Sequence, residues 1–234
     1  MRTPISLTLL SLALLTACAG PVKKVDASRE KLATIRTIAV IRPPEPKAYE
    51  VMNFGHPGLA FGVIGGAIAA SDQSSKKNLL NASYKERNLA ASSKLAGSIA
   101  EQLNSSGFEA IVEEGPWEEV DGKFKLSLDK ISSTADGVLV VTPTLEGFVA
   151  TTTQDYMPTV TAVVVLLGKD RKEQLYKGFH SSGWAPMGDG WRITLAKVTF
   201  RNSDALIQDT KASSEALVNA AIAIGQTVGT DLRK

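Results

Sequence analysis

Apolar and polar positions divide this chain into a short leader and a patterned body. Leu7 to Leu15 is a largely apolar run with the length of a signal-peptide h-region. It is too short to span a bilayer, which takes about 20 apolar residues. In the body, Thr37 to Ile41 is apolar and β-branched, which predicts a buried strand that Pro43 and Pro44 stop. An irregular, Pro-containing loop follows over 42–57. Between 78 and 105, Leu89, Ala96, Ile99, Ala100 and Leu103 recur at helical spacing, with Lys85, Glu86, Lys94 and Glu101 outside the stripe. Gly107 is placed to end that helix. Phe108 to Val112 reads as a second strand, and Gly115 to Gly122 as a polar loop around Trp117. Leu126, Leu128 and Ile131 suggest a short amphipathic helix.

The second half reads as strands, then helix. Gly137 to Ala150 begins as a near-continuous apolar strand in which Pro143 marks an edge or bulge. Asp155 to Pro158 is a turn. Thr159 to Leu167 is a strand, apolar on both faces from Ala162 onward, as suits a central position. Gly168 to Arg171 turns a hairpin, and Glu173 to Ser181 is its partner strand. A looser stretch runs from Ala185 to Trp191. Asn202 or Ser203 caps a final helical region in which Ala205, Leu206, Ala216, Leu217, Ala220, Ala221 and Ile224 have helical spacing. The expectation is an α/β (α+β) domain over 35–234. It has a single mixed sheet of about five strands with helices mainly on one face.

Residues 58–70 break the pattern. Gly58, Gly62, Gly66 and Ala70 fall every four residues, so a helix would stack them on one face. A face without side chains lets another backbone approach closely. Thirteen residues make roughly 20 Å of helix, short of the bilayer core. The segment is therefore either a membrane-dipping or self-associating glycine zipper, or an insert packed tightly against the domain.

The leader ends in Leu15-Thr16-Ala17-Cys18, with Arg2 as a positive n-region and the only cysteine of the chain at its end. This resembles the bacterial lipobox, in which the cysteine is lipidated and becomes the first mature residue. The resemblance implies a signal peptide over 1–17, then a lipidated cysteine and linker over 18–34. Ala19 stands where an aspartate would imply inner-membrane retention, so the pattern implies the periplasmic face of the outer membrane. With its one thiol so committed, the domain has no intramolecular disulfide and must hold by packing. A net charge of +2 and 21% charged residues provide no strong field for nucleic acid.

Chemistry is sparse in the pattern. The chain has two histidines, His56 and His180. It lacks HExxH, CxxC and GxSxG, so neither a metal nor a catalytic serine is expected. Asp170, Asp189 and Asp204 are the acids available to a triad with His180 and Ser181 or Ser182, but His180 reads as a surface histidine on a strand. Gly62 to Gly66 fits no phosphate loop, since no GK[ST] follows, and no cofactor is expected. Lys76-Lys77 reads as a solvated helix start, and Lys169 to Lys172 as a hairpin tip. Trp184 and Trp191 bracket a Gly/Pro-containing loop, either as a binding lip or membrane-interface contact, or as cover for the core.

The order of elements adds a second resemblance. Ile38-Ala39-Val40-Ile41, then Leu95 to Val112, then Ala135-Asp136-Gly137 and Val138 to Val141 resemble the periplasmic lipoproteins of TolB N-terminal-like fold. That group includes the curli secretion lipoprotein and activators of peptidoglycan synthases. The resemblance implies a non-enzymatic lipoprotein with an envelope protein or a second copy of itself as partner, in envelope assembly or transport. A secretion-channel subunit and a peptidoglycan-synthase activator are the alternatives. Residues 19–34 are short for an activator that must cross the cell wall.

Overall fold

The computed structural model describes residues 23–56, 62–186 and 190–233, with 62–69 as backbone only. Leu15 to Cys18, Gly58 and Asp189 lie outside the described residues. The fold is α+β. Its elements are α1 (Arg29–Ala33), β1 (Thr37–Arg42), β2 (Glu50–Asn53), α2 (Gly62–Glu86), α3 (Ala91–Ser105), β3 (Glu109–Glu114), β4 (Trp117–Val120), β5 (Lys123–Leu126), β6 (Gly137–Ala150), β7 (Met157–Leu167), β8 (Gln174–Ser182), β9 (Trp191–Thr194), α4 (Ser203–Gln208) and α5 (Thr210–Asp231). The main sheet has seven strands, in the order β3-β1-β6-β7-β8-β9, with β2 also paired to β6. This corrects the expected five, because β2 and β9 are four-residue strands too short to show a period.

β1 is parallel to both β3 and β6. Its register with β6 is set by Asp136, whose Oδ2 accepts from the Arg36 N–H at 3.1 Å and the Thr37 N–H at 3.0 Å. The Asp136 N–H donates to Thr37 Oγ1 at 2.9 Å. The Ala-Asp-Gly sequence is thus a clamp between two strand starts. β7 is central, as its two-sided apolarity predicts, and runs antiparallel to β6 and β8.

Helices cover one face of this sheet. Leu95, Ile99 and Leu103 of α3 and Leu217, Ala221, Ile224 and Val228 of α5 pack onto Val40, Leu139, Val141, Val164 and Leu166. Each fully buried leucine contributes roughly 1.5–3 kcal/mol. The two helices approach closely through Gly225 and Gly229. A Cβ at Gly225 would lie 2.3 Å from Ser98 Oγ, and one at Gly229 2.5 Å from Gln102 Cβ. The small-residue spacing that seats helix on helix is thus at 225 and 229. Gly62 and Gly66 lie in the first turns of α2, and Ala70 is exposed.

Several expectations are corrected. The helical stretch 78–105 is two helices, broken at Asn88 with φ +52. Lys76 and Lys77 lie within α2 and pair with Asp204 and Glu50. The polar loop and short helix expected over 115–131 are the β4–β5 hairpin and a 3₁₀ turn over Leu128–Lys130. Asp121 and Gly122 have φ +51 and +74, the geometry of a type I′ hairpin turn. This hairpin covers the other sheet face, where Trp117, Leu126 and Ile131 pack on Ala39, Ile41, Val138 and Val140. Pro158 is in β7 opposite Phe148, not in a turn. The final helical region is two helices, capped by Asn202 and Asp209. The N-terminal linker is shorter than expected, because Val25 pairs with Lys177 of β8 and Leu32 is buried in the core.

Candidate functional site

Two places combine a buried ionisable group with an adjoining cleft. The first is a notch in the sheet. β1 pairs with β6 as far as Val140, and β2 resumes at Gly147. Between them the chain loops out over 43–49, leaving the edge of β6 from Val141 to Glu146 without a strand partner on that side. A cleft of about 670 Å³ fills the gap. Pro43, Pro44, Trp117, Phe124, Thr142, Thr144 and Glu146 are among its walls. Trp117 Nε1 donates to the Arg42 carbonyl at 2.8 Å, which fixes the indole against the notch.

Glu146 is placed there by a bulge. The β6–β7 register shifts between Pro143 and Leu145. An extra residue in a strand reverses which side chains face each side. Before the bulge Leu139 and Val141 face the helices, and after it Phe148 and Ala150 do. Glu146 shares their parity. It is 6% exposed and meets Ser92 Oγ at 3.0 and 3.1 Å through its two oxygens. Burial pushes its carboxyl up to about 8, and the nearby Glu45 charge adds to this. Glu146 is therefore largely protonated at neutral pH. Glu45 does a different job. Its oxygens accept the Ser92 N–H at 3.1 Å and the Ser93 N–H at 2.8 Å, capping α3, which has no side-chain cap of its own.

The second place is the β8–β9 edge. His180 is fully buried, which corrects its reading as a surface residue. Its Nε2 lies 2.7 Å from the Tyr176 hydroxyl and its Nδ1 2.7 Å from Thr227 Oγ1. Tyr176 reaches Asp231 Oδ2 at 2.9 Å, and Thr227 reaches the Ile224 carbonyl at 2.9 Å. Gly178 makes room for this line, since a Cβ there would stand 1.9 Å from the Tyr176 oxygen. Arg192 of β9 closes it by pairing with Asp231. With a neutral imidazole, the tyrosine, histidine and threonine bring three protons to these four contacts. Burial pushes His180 down to about 4. The triad acids are elsewhere: Asp170 caps its hairpin turn and Asp204 pairs with Lys76.

Beside this network, Ile193, Leu195 and Val198 are exposed, Leu195 by 80%. Leu195 stands between two clefts. One, of about 390 Å³, lies against Ala220 and Ala223 of α5. The other, of about 710 Å³, includes Trp184 and Met157. Trp184 packs on Phe54 with centroids 5.3 Å apart, and Trp191 packs on Phe179 at 5.7 Å. Of the two predicted tryptophans, only Trp184 is among the residues lining that second cleft. The signal for both places was weak. Glu146 needed the bulge at Pro143, and Leu195 follows a strand only four residues long. Among the described residues, no group of three or more His, Cys, Asp or Glu is placed to hold a metal.

Fold and clefts together define an α+β domain with a mixed sheet backed by helices. No protein-family model matches the chain, and no curated protein does. Among solved structures, the PelC L103M dodecamer from Paraburkholderia phytofirmans matches over 92% of this chain and 100% of that one. The identity is 14% and the TM-score 0.40, too slight a likeness to transfer anything to this chain.

Proposed function

We infer that this is a lipid-anchored protein of the bacterial outer membrane whose periplasmic domain binds a protein partner rather than catalysing a reaction. Residues 1–17 are its signal peptide and Cys18 carries the lipid. The observation that carries partner binding is the open β6 edge between β1 and β2, beside Trp117 and Phe124. Unpaired strand backbone next to aromatic and proline walls suits an extended peptide segment, with main-chain hydrogen bonds giving affinity and the walls giving selection. The TolB N-terminal-like resemblance supports an envelope setting for such a partner.

The test is site-specific photo-crosslinking in cells. A photoreactive residue at Phe124 is expected to give a discrete adduct, and one at the exposed Leu79 of α2 is not. The adduct's mass separates an envelope protein from a second copy of this chain. Equal labelling at both positions overturns the reading. Sizing in detergent separates it from the channel-subunit alternative, which requires a large ring.

A further inference from the structure

We propose that Ile193, Leu195 and Val198 form a second membrane contact, which lays the β8–β9 edge of the anchored domain onto the bilayer surface. The inference rests on the lipid at Cys18. It follows from where the tether joins the fold. The Val25 N–H donates to the Lys177 carbonyl at 3.0 Å, and the Lys177 N–H donates back to the Val25 carbonyl at 2.8 Å. Val25 therefore lies along the same edge of β8 that β9 occupies further on, where Phe179 pairs with Trp191 and Ser181 with Ile193.

The distances close. Seven residues separate Cys18 from Val25 in the sequence. Fully extended, they reach about 25 Å. From Lys177 to Ser181 is four residues along β8, about 13 Å. The anchored cysteine and the apolar face thus lie within one tether length of the same lipid surface. On the opposite margin of the sheet, β3 is four strand spacings from β8. At about 4.8 Å per strand it is farther from the tether in the sheet plane.

The face has the chemistry of an interfacial contact. Its three aliphatic side chains are exposed, and Lys197 and Arg201 on the same stretch are exposed beside them. Apolar side chains enter the acyl boundary while flanking cations meet anionic headgroups. Among the described residues no helix is long and apolar enough to cross a membrane. The contact proposed lies on the bilayer.

The test is hydrogen exchange on the full lipidated chain, reconstituted on vesicles of phosphatidylethanolamine and phosphatidylglycerol. Mass spectrometry first verifies the lipid on Cys18. Its absence overturns the anchor and, with it, the second contact. With the lipid present, amides over 193–199 are expected to exchange about tenfold more slowly on vesicles dilute in protein than in the unlipidated Cys18→Ser chain in solution. Those over 110–114 of β3 are expected not to change. The Leu195→Glu/Val198→Glu variant is expected to keep its lipid and lose the protection. No slowing over 193–199, or equal slowing at both edges, overturns the second contact while leaving the anchor intact. Protection that grows with protein density at fixed lipid assigns the face to a second copy of the chain, and likewise overturns it.

Discussion

The sheet buries one ionisable side chain in its notch and another near its β8–β9 edge, and the two answer protons in opposite directions. Glu146 in the notch has a carboxyl raised to about 8. His180 at the edge is lowered to about 4. Both shifts have burial as their first cause, because low-dielectric surroundings disfavour the charged form of either group. Their supports differ. Glu146 has one hydroxyl, Ser92, across its two oxygens. His180 sits in a line that ends on a carboxylate paired to Arg192. One region holds an acid in a neutral form on a single hydroxyl, and the other holds a neutral base within a connected network.

The largest effect is expected at Glu146. Below its unfolded value the carboxyl is protonated whether folded or not, so it adds no pH dependence. As pH rises from about 4.5 to 8, the unfolded chain loses the proton first, and stability falls. A Glu146→Gln variant keeps a hydrogen-bonding partner for Ser92 and cannot ionise. It is expected to be more stable than the parent at pH 8 by several kcal/mol, at most about 5. Urea unfolding at pH 5 and pH 8 checks this. An unchanged difference between the two pH values for the variant breaks the comparison.

A smaller effect of opposite sign is expected at His180. Its folded value is depressed below 6.5, so the unfolded chain takes up the proton first as pH falls. Stability is then lost from about pH 6.5 down to 4, by about 3 kcal/mol. A His180→Asn variant is expected to remove that acid-side loss and leave the alkaline-side loss of Glu146 in place. The parent should therefore show little net slope between pH 4.5 and 6.5, where the two contributions cancel. Unfolding curves across that window for parent and variant sharpen the contrast, and a variant that still loses stability on the acid side sinks it.

How much of this was legible in the sequence follows from length and periodicity. β1, β6, β7 and β8 are long or continuously apolar, and their pattern alone places them. Ala135-Asp136-Gly137 was legible only as part of a family resemblance, and the clamp that Asp136 makes is seen in the structure. The β4–β5 hairpin was written in Asp121-Gly122, a strong type I′ signal, but the charged residues around it disguised two short strands. Glu146 was missed because Pro143 left an edge and a bulge both open, and only the bulge turns Glu146 to the helix face. His180 was misread as a surface residue on a strand, whereas His180, Ser181 and Ser182 are all buried. The close helix contact at Gly225 and Gly229 has the same four-residue spacing as the glycine run at 58–66, but a single glycine pair is a weaker signal than a run.

The smallest expected effect on stability is also the most diagnostic for the edge. Leu195 is 80% exposed, so Leu195→Glu removes little buried apolar area. Surface changes of this kind usually fall within about 0.5 kcal/mol of the parent. The variant should therefore unfold with the parent's midpoint and slope at every pH. A loss of more than about 1 kcal/mol would mean that Leu195 is part of the core of the region rather than its surface. If stability is unchanged while Glu146→Gln shifts it by several kcal/mol, the regions separate by role. Each region then carries one proton-sensitive buried group, Glu146 or His180, while the exposed apolar surface of the edge contributes to contact and not to folding.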